Sequence, residues 1–269
     1  MLSKIAEHNF KQLNANNITC KNEDGILGVL NEMYDTIYVD PSRRHDTKGK
    51  VFFLNDCEPN IPKHLPQLVK NCKLLIIKTA PMLDISVGLK ELDHVFQLHI
   101  VAINNEVKEL LWMIKPDYSN DLTVITKNFT KENTEETFSF IYREQAEVFY
   151  DSPKRFLYEP NAAIMKSGAF FNVSESFKVK KLHENTHLYT SESLRAFPGR
   201  RFLINDILPY SKKNIKKEAI TKANITTRNF PESVSSIRKK FKIKDGGDTY
   251  LFFTTIQPSK KVILVCSKV

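Results

Sequence analysis

The chain has 269 residues, 41% of them hydrophobic, and a formal net charge of +9. That length and apolar content suit about two domains with real cores. No apolar run is long enough to span a bilayer, and the opening MLSKIAEHNFKQL lacks the apolar core of a secretory signal, so no membrane partner and a cytoplasmic setting are expected.

Taken in order, Ile5, Ala6, Phe10 and Leu13 share one face of a helix over residues 3–14. A short strand is expected at Ile18–Cys20, a turn at Asn22-Glu23-Asp24-Gly25 and a helix at Ile26–Met33. Thr36–Asp40 reads as a strand and Gly49–Leu54 as a short extension. Pro62–Asn71 is a helix, and the apolar run Lys73–Ala80 is a strand covered on both faces. Asp84 is placed to cap a helix at Ile85–Leu92. A strand at Phe96–Ile103, a helix at Glu106–Ile114 and a strand at Leu122–Phe129 complete an alternation that signifies a mostly parallel sheet.

The middle is less regular. Thr137–Arg143 is a strand candidate, Asn161–Phe170 an apolar helix ending near Gly168, and HENTHLYTSE a loop-rich stretch. Regularity then returns. A strand at Arg201–Ile207, a basic helix at Lys212–Ala223, a strand at Ile225–Thr227 and a helix at Pro231–Phe241, with proline in its first turn, lead to strands at Tyr250–Ile256 and Lys261–Ser267. This order implies a small α/β sandwich.

Charge is uneven. Phe197–Val269 holds 16 Lys/Arg and 5 Asp/Glu, giving +11, whereas the remainder is at −2. Such asymmetry favours a polyanion partner, with a merely lysine-rich soluble surface as the alternative. The cysteines Cys20, Cys57, Cys72 and Cys266 lie far apart without a CxxC pair, as expected of reduced thiols. His183 and His187 are four apart, but the flanking residues argue against a helix that would align them, so no metal site is expected.

The stretch YDTIYVDPSRR carries most of the chemistry. An apolar strand runs into Asp40-Pro41, where the missing N–H of proline ends the ladder, and into Arg43 and Arg44. Open α/β sheets bind ligands at the C-terminal ends of their strands, and arginine offers a fork of donors for phosphate or carboxylate. A plain surface turn is the competing reading, with Arg43 and Arg44 pairing to Asp46 or Asp56.

Within residues 1–130, NEDGILGVL, YVDPSRR, LLIIKTAPMLDI and LTVITKNF resemble, in order, the third-strand turn, the loop after the fourth strand, the fifth strand with its exit, and the last strands of class I S-adenosylmethionine-dependent methyltransferases. More closely, the chain is similar to a bacterial family that couples this domain to a small ferredoxin-like module and a C-terminal THUMP-like domain. DPSRR with KTAPMLDI, YEPNAAIMKSGAF with KLHENTHLYTS, and RNFPESVSSIRKKFKIKDGGDTYLFFTT carry that likeness. It implies a partial Rossmann-like methyltransferase sheet over 1–130, a connecting strand and ferredoxin-like module over 131–196, and a THUMP-like domain over 197–269.

The resemblance implies S-adenosylmethionine as cofactor. Asp24 and Gly25 then stand at the adenine, Asp40 and Pro41 beside the methyl donor, and Arg43 and Arg44 on the substrate side. Outside that role Asp24 is a turn former and Asp40 a strand-end cap. Lys78 and Asp84 flank the fifth-strand exit, Asp84 more simply as a helix cap. THUMP domains bind RNA, so Lys212, Lys213, Lys216, Lys217, Arg238, Lys239 and Lys240, with Arg200, Arg201, Lys242 and Lys244, are candidates for a phosphate-tracking surface, or else form a solvated helix face.

The chain departs from the family at one point. A glycine-rich turn lets backbone approach the cofactor, yet no glycine precedes Gly25. An acidic residue after a second strand is missing too. The expectation is that the first two strands of the sheet are absent, that oligomeric state is open and that cofactor binding is impaired. A non-catalytic RNA-binding or assembly protein is the alternative.

Overall fold

The computed structural model describes residues 2–43 and 53–269. Arg44 and residues 49–52 of the expected extension lie outside them. The chain divides into two compact units, residues 1–96 with 111–120, and 97–110 with 121–269.

The first unit opens with helix α1 (Leu2–Gln12), none of whose residues is buried, and helix α2 (Gly25–Val29). Strand β1 (Tyr34–Val39) leads to the two-residue β2 (Ser42–Arg43) and β3 (Cys57–Glu58), which pair with each other. Helix α3 (Ile61–Lys70) starts at Asn60, whose side chain accepts from the Lys63 N–H at 3.0 Å, with proline following in the first turn. Its Ile61, Leu65 and Leu68 are buried. Strand β4 (Cys72–Thr79) then runs parallel to β1, Tyr34 opposite Cys72 and Val39 opposite Ile77. Asn71 stands between α3 and β4, and its amide donates to the carbonyls of Val29, Leu30 and Glu32 at 3.1, 2.7 and 3.2 Å. One side chain thereby fixes where α2 ends relative to β1.

Helix α4 (Ile85–Glu91) is capped by Asp84, which accepts from the Ser86 and Val87 N–H groups at 2.8 and 3.3 Å, as the sequence suggests. Gly88 of α4 faces Trp112, the one tryptophan, which is fully buried and donates to Thr79 at 2.9 Å. A Cβ on Gly88 would lie 2.4 Å from the indole. Gly88→Ala is therefore expected to destabilise this unit by about 1–3 kcal/mol through overpacking, read from the urea midpoint of Trp112 fluorescence.

The strands that follow are β5 (Val95–Ile103), β6 (Glu106–Ile114), β7 (Thr123–Phe129) and β8 (Glu135–Ile141). The first sheet runs β1-β4-β6-β5-β7-β8. Glu106–Ile114 is thus a strand, not the expected helix. Asn104 and Asn105 both take positive φ, 52° and 64°, which makes the two-residue turn that reverses a hairpin. Leu110, Trp112 and Ile114 are buried with period two, and the apolar residues between them hide that period in the sequence.

The second sheet lies wholly in the second unit. It contains β9 (Phe156–Pro160), β10 (Lys180–His183), β11 (Thr186–Ser191), β12 (Gly199–Pro209), β13 (Asn224–Arg228), β14 (Thr249–Ile256) and β15 (Lys260–Lys268), ordered β10-β11-β9-β12-β15-β14-β13. Helices α5 (Ala162–Ser167) and α6 (Phe170–Phe177) follow β9, α7 (Lys212–Lys217) follows β12 and α8 (Val234–Phe241) follows β13. Ile215 of α7 and Ile237 of α8 pack with Leu251, Phe253 and Ile263 on one face of the sheet, while Phe252 and Leu264 join Leu157 and Phe202 on the other. Phe252 and Phe253 are both buried because both faces are covered.

Four further expectations need correction. Ile18–Cys20 forms no strand among the described residues, since nothing pairs with it. HENTHLYTSE belongs to the β10–β11 hairpin rather than a loop. The basic helix ends at Lys217, not Ala223. The last helix begins at Val234 rather than Pro231, because Ser233 caps it by accepting from the Ser236 N–H at 3.2 Å.

Candidate functional site

The first unit holds a cleft of about 930 Å³ between α2, the end of β1 and the start of α3. Asp24, Gly25, Ile26 and Leu27 line one side, Ile37, Val39 and Asp40 another, and Glu58, Asn60, Lys63 and His64 a third. Asp24 and Asp40, sixteen residues apart in sequence, thus face one cavity. Asp24 Oδ1 accepts from the Ile26 and Leu27 N–H groups at 2.8 and 3.3 Å, so part of its capacity goes to capping α2. A Cβ on Gly25 would meet nothing within 4 Å, which leaves open space beside that backbone.

Asp40 follows the last residue of β1. Because Val39 lies opposite Ile77, Asp40 falls beside Lys78, and its Oδ2 is 2.7 Å from Lys78 Nζ. The sequence placed Lys78 near the site; the strand register decided what it touches. Pro41 ends the strand, and Arg43 continues into β2, its backbone opposite Cys57. Glu58, Asn60, Lys63 and His64 are additions. The Asn60-Ile61-Pro62 helix start was their one signal, since an N-cap aims the first turn of α3 at whatever lies before it.

The basic candidates separate. Lys212, Lys213 and Lys239 are exposed on α7 and α8, and the backbones of Lys216 and Lys217 close α7. Lys242 and Lys244 are exposed just after α8. Arg238 instead turns inward, donating to the carbonyls of Ala223 and Ile243 at 3.2 and 3.4 Å and pairing with Asp245. Lys240 bonds to the Tyr210 hydroxyl at 2.7 Å and to Glu232 at 3.1 Å. Arg200 is bound to Glu159. These three hold structure, because each found a carboxylate or carbonyl partner at short range. Lys181 and Glu159, neither singled out from the sequence, and His187, weighed there only as a metal ligand, form polar clusters in the second unit.

No group of three or more His, Cys, Asp or Glu among the described residues is arranged to hold a metal, and no described helix is long and apolar enough to cross a membrane.

The first sheet is mixed rather than mostly parallel, with β1–β4 and β5–β7 parallel and β7–β8 antiparallel; such an α/β sheet with a cleft beyond the end of β1, followed by an α/β sandwich, defines the class of protein. Comparison with known proteins then narrows it. Residues 156–198 match the family model described as a ferredoxin-like domain, and residues 199–268 the model described as THUMP domain-like. No curated protein matches the chain. Among solved structures, the chain is similar to a crystal structure described as a "putative methyltransferase" from Porphyromonas gingivalis W83, at 35% identity and a TM-score of 0.79 over 87% of this chain. This chain spans 60% of the length of that one. Together these findings support the family likeness drawn from the sequence, a methyltransferase-type α/β domain followed by a ferredoxin-like module and a THUMP-like domain. The two matched segments share one sheet, joined where β9 pairs with β12.

Proposed function

We propose that this chain belongs to an S-adenosylmethionine-dependent methyltransferase acting on RNA, and that these 269 residues by themselves hold the cofactor weakly. The observation that carries the reading is that Asp24, Gly25 and Asp40 line one and the same cleft. The residues present fit the adenine end of the cofactor, where an acceptor stands beside a glycine with open space. They do not supply a glycine-rich turn for the rest of it. When bound, the cofactor supplies an electrophilic methyl group. Asp40, held by Lys78, would accept an N–H of the target and orient its lone pair, and such positioning is the larger share of catalysis for an amine nucleophile. Lys212, Lys213 and Lys239 would track phosphate, with Arg43, Arg44, Lys216 and Lys217 as further contacts.

The basic C-terminal segment also suits a second reading, a non-catalytic RNA-binding or assembly protein that keeps the fold. Two measurements separate them. Calorimetry with S-adenosylmethionine is expected to give a dissociation constant weaker than about 100 μM. Micromolar binding would contradict the proposed weakness, and no heat at millimolar cofactor would favour the second reading. Filter binding of structured RNA across a salt series is expected to show a steep slope that falls by about 2–3 in the triple variant K212E/K213E/K239E. A flat salt dependence would sink the RNA assignment in both readings.

A further inference from the structure

In the second unit one carboxylate holds two like charges side by side. Glu159 lies on β9 and Arg228 on β13, with β12, β15 and β14 between them in the sheet. On a flat sheet those strands would stand about 19 Å apart. Arg228 Nη2 is nevertheless 2.8 Å from Glu159 Oε1, so the sheet curls back toward itself. The Gln257 N–H, just past β14, likewise donates to the Leu182 carbonyl of β10 at 2.9 Å. Arg200 stands opposite Glu159 in the β9–β12 pairing and bonds Oε2 through Nε at 2.7 Å and through Nη2. Strand alternation puts Glu159 and Arg200 on the face of Leu157 and Phe202, and Arg228 on the face away from Ile225. Ile225 packs with Ile215 of α7 and Ile237 of α8, so the arginine pair lies on the opposite face of the sheet from those two basic helices.

Only one edge of each guanidinium is engaged. Every bond to Glu159 runs through Nε or Nη2, and Arg200 Nη2 also reaches the Thr226 hydroxyl at 3.4 Å. Among the described residues nothing is bonded to Nη1 of either arginine, and no other carboxylate pairs with them. Both arginine side chains are partly exposed, whereas Glu159 is buried. Two permanent cations thus share one anion, and the excess positive charge faces solvent. A second anion bridging the outer edges would relieve the repulsion between them. We propose that Arg200 and Arg228, oriented by Glu159, form a binding site for one phosphate group. Guanidinium forks match the paired oxygens of a phosphate, and the buried carboxylate fixes both forks before the ligand arrives, which lowers the ordering cost of binding. The +11 carried by Phe197–Val269 draws polyanions toward this part of the chain. The phosphate comes either from an RNA backbone, in which case the inference rests on the RNA reading above, or from a small phosphate-bearing molecule.

The test follows the arginine Nε–H resonances of the isotope-labelled, full 269-residue chain while inorganic phosphate is added at constant ionic strength. Saturable shifts of the Arg200 and Arg228 signals are expected, with half-saturation below about 10 mM. Arg228→Lys keeps the charge and loses the fork, and is expected to weaken phosphate binding at least about fivefold, its fold checked by circular dichroism. Absence of a saturable shift in the unmodified chain overturns the proposal. So does a shift that chloride reproduces, or an equal response to acetate, which would make the site a general anion or carboxylate site. A short RNA hairpin is the second arm. Shifts of the same two signals at concentrations at least about tenfold lower than with inorganic phosphate support the site and assign its phosphate to RNA. Shifts with inorganic phosphate but not with the hairpin support it with a small phosphate-bearing molecule as the source. Filter binding keeps the claims apart. RNA retained while neither RNA nor phosphate moves the two arginines fails this inference alone, and phosphate-induced shifts without RNA retention fail the RNA reading alone.

Discussion

Replacing Arg200 and Arg228 together by methionine is expected to destabilise the second unit by about 3–5 kcal/mol, the cost of leaving a buried charge unpaired. The charge is Glu159 on β9, whose side chain is 2% exposed. Its Oε2 accepts from Arg200 Nε at 2.7 Å, and its Oε1 from Arg228 Nη2 and Nε at 2.8 and 3.1 Å. Arg200 lies on β12 and Arg228 on β13, so this one carboxylate ties the ferredoxin-like segment to both ends of the THUMP-like one. The asymmetry of exposure makes the prediction sharp. The guanidiniums are 41% and 38% exposed, so Glu159→Gln leaves them hydrated and costs less, about 1–2 kcal/mol. Restoring neutrality with the triple variant R200M/R228M/E159M is expected to recover most of the loss. Amide exchange of β9 and β12 in urea reads all three. Equal losses in the double and the triple variant would show that packing, not charge, accounts for the effect.

The second large effect concerns Lys181, which is fully buried on β10. Its Nζ lies 3.3 Å from His187 Nδ1 and 5.3, 5.6 and 5.5 Å from the ring centres of Phe170, Phe171 and Tyr189. Burial lowers its pKa to about 8 against the small opposing pull of Glu184. His187, stacked on Phe170 at 3.5 Å, is lowered to about 4 by burial and by the charges of Lys181 and Arg228. Burial raises Tyr189 and keeps its phenol neutral, donating to the Phe170 carbonyl at 2.8 Å.

The signs follow from linkage. Both groups bind protons more weakly folded than unfolded, so stability rises with pH wherever the unfolded chain holds the extra proton. For His187 that window runs from about pH 4 to its ordinary value of 6.5, and stability falls as acid is added through it. For Lys181 it runs from about pH 8 to 10.5. At pH 7 the folded protein therefore carries the full cost of a buried ammonium, and Lys181→Met is expected to stabilise by roughly 2–3 kcal/mol, methionine keeping the length and making sulfur–aromatic contacts. The gain should vanish by about pH 10.5, and His187→Leu should flatten the acid limb. A Lys181→Met variant that is less stable at pH 7 would mean that the aromatic cage more than compensates the desolvated charge.

Element by element, the regular parts were legible where local signals agree. Asp84 caps α4 as its sequence position suggests, Gly168 takes φ 73° at the end of α5, and strands form where β12, β14 and β15 are expected. The misreadings share one cause. In Glu106–Ile114 an unbroken apolar run fits a strand or a helix equally, and only the Asn104-Asn105 turn and the neighbouring strands decide. HENTHLYTSE hides a hairpin because its polar residues are satisfied by contacts far along the chain, such as Thr186 donating to the Thr255 carbonyl at 2.7 Å.

The same division holds for function. Residue order alone determined the strand that ends in Asp40-Pro41, the turn at Asp24 with a helix after it, the excess of positive charge after Phe197 and the likeness to a methyltransferase-type domain with ferredoxin-like and THUMP-like segments. Tertiary structure alone decided that Asp40 meets Lys78, that Glu58, Asn60, Lys63 and His64 line the cleft with Asp24 and Asp40, and which cations stay on the surface and which are spent on Glu159, Glu232 and Asp245. Caps, turns and periodicities are written in neighbouring residues, whereas the partner of a charged side chain depends on strand register and helix packing, which join residues far apart in the chain.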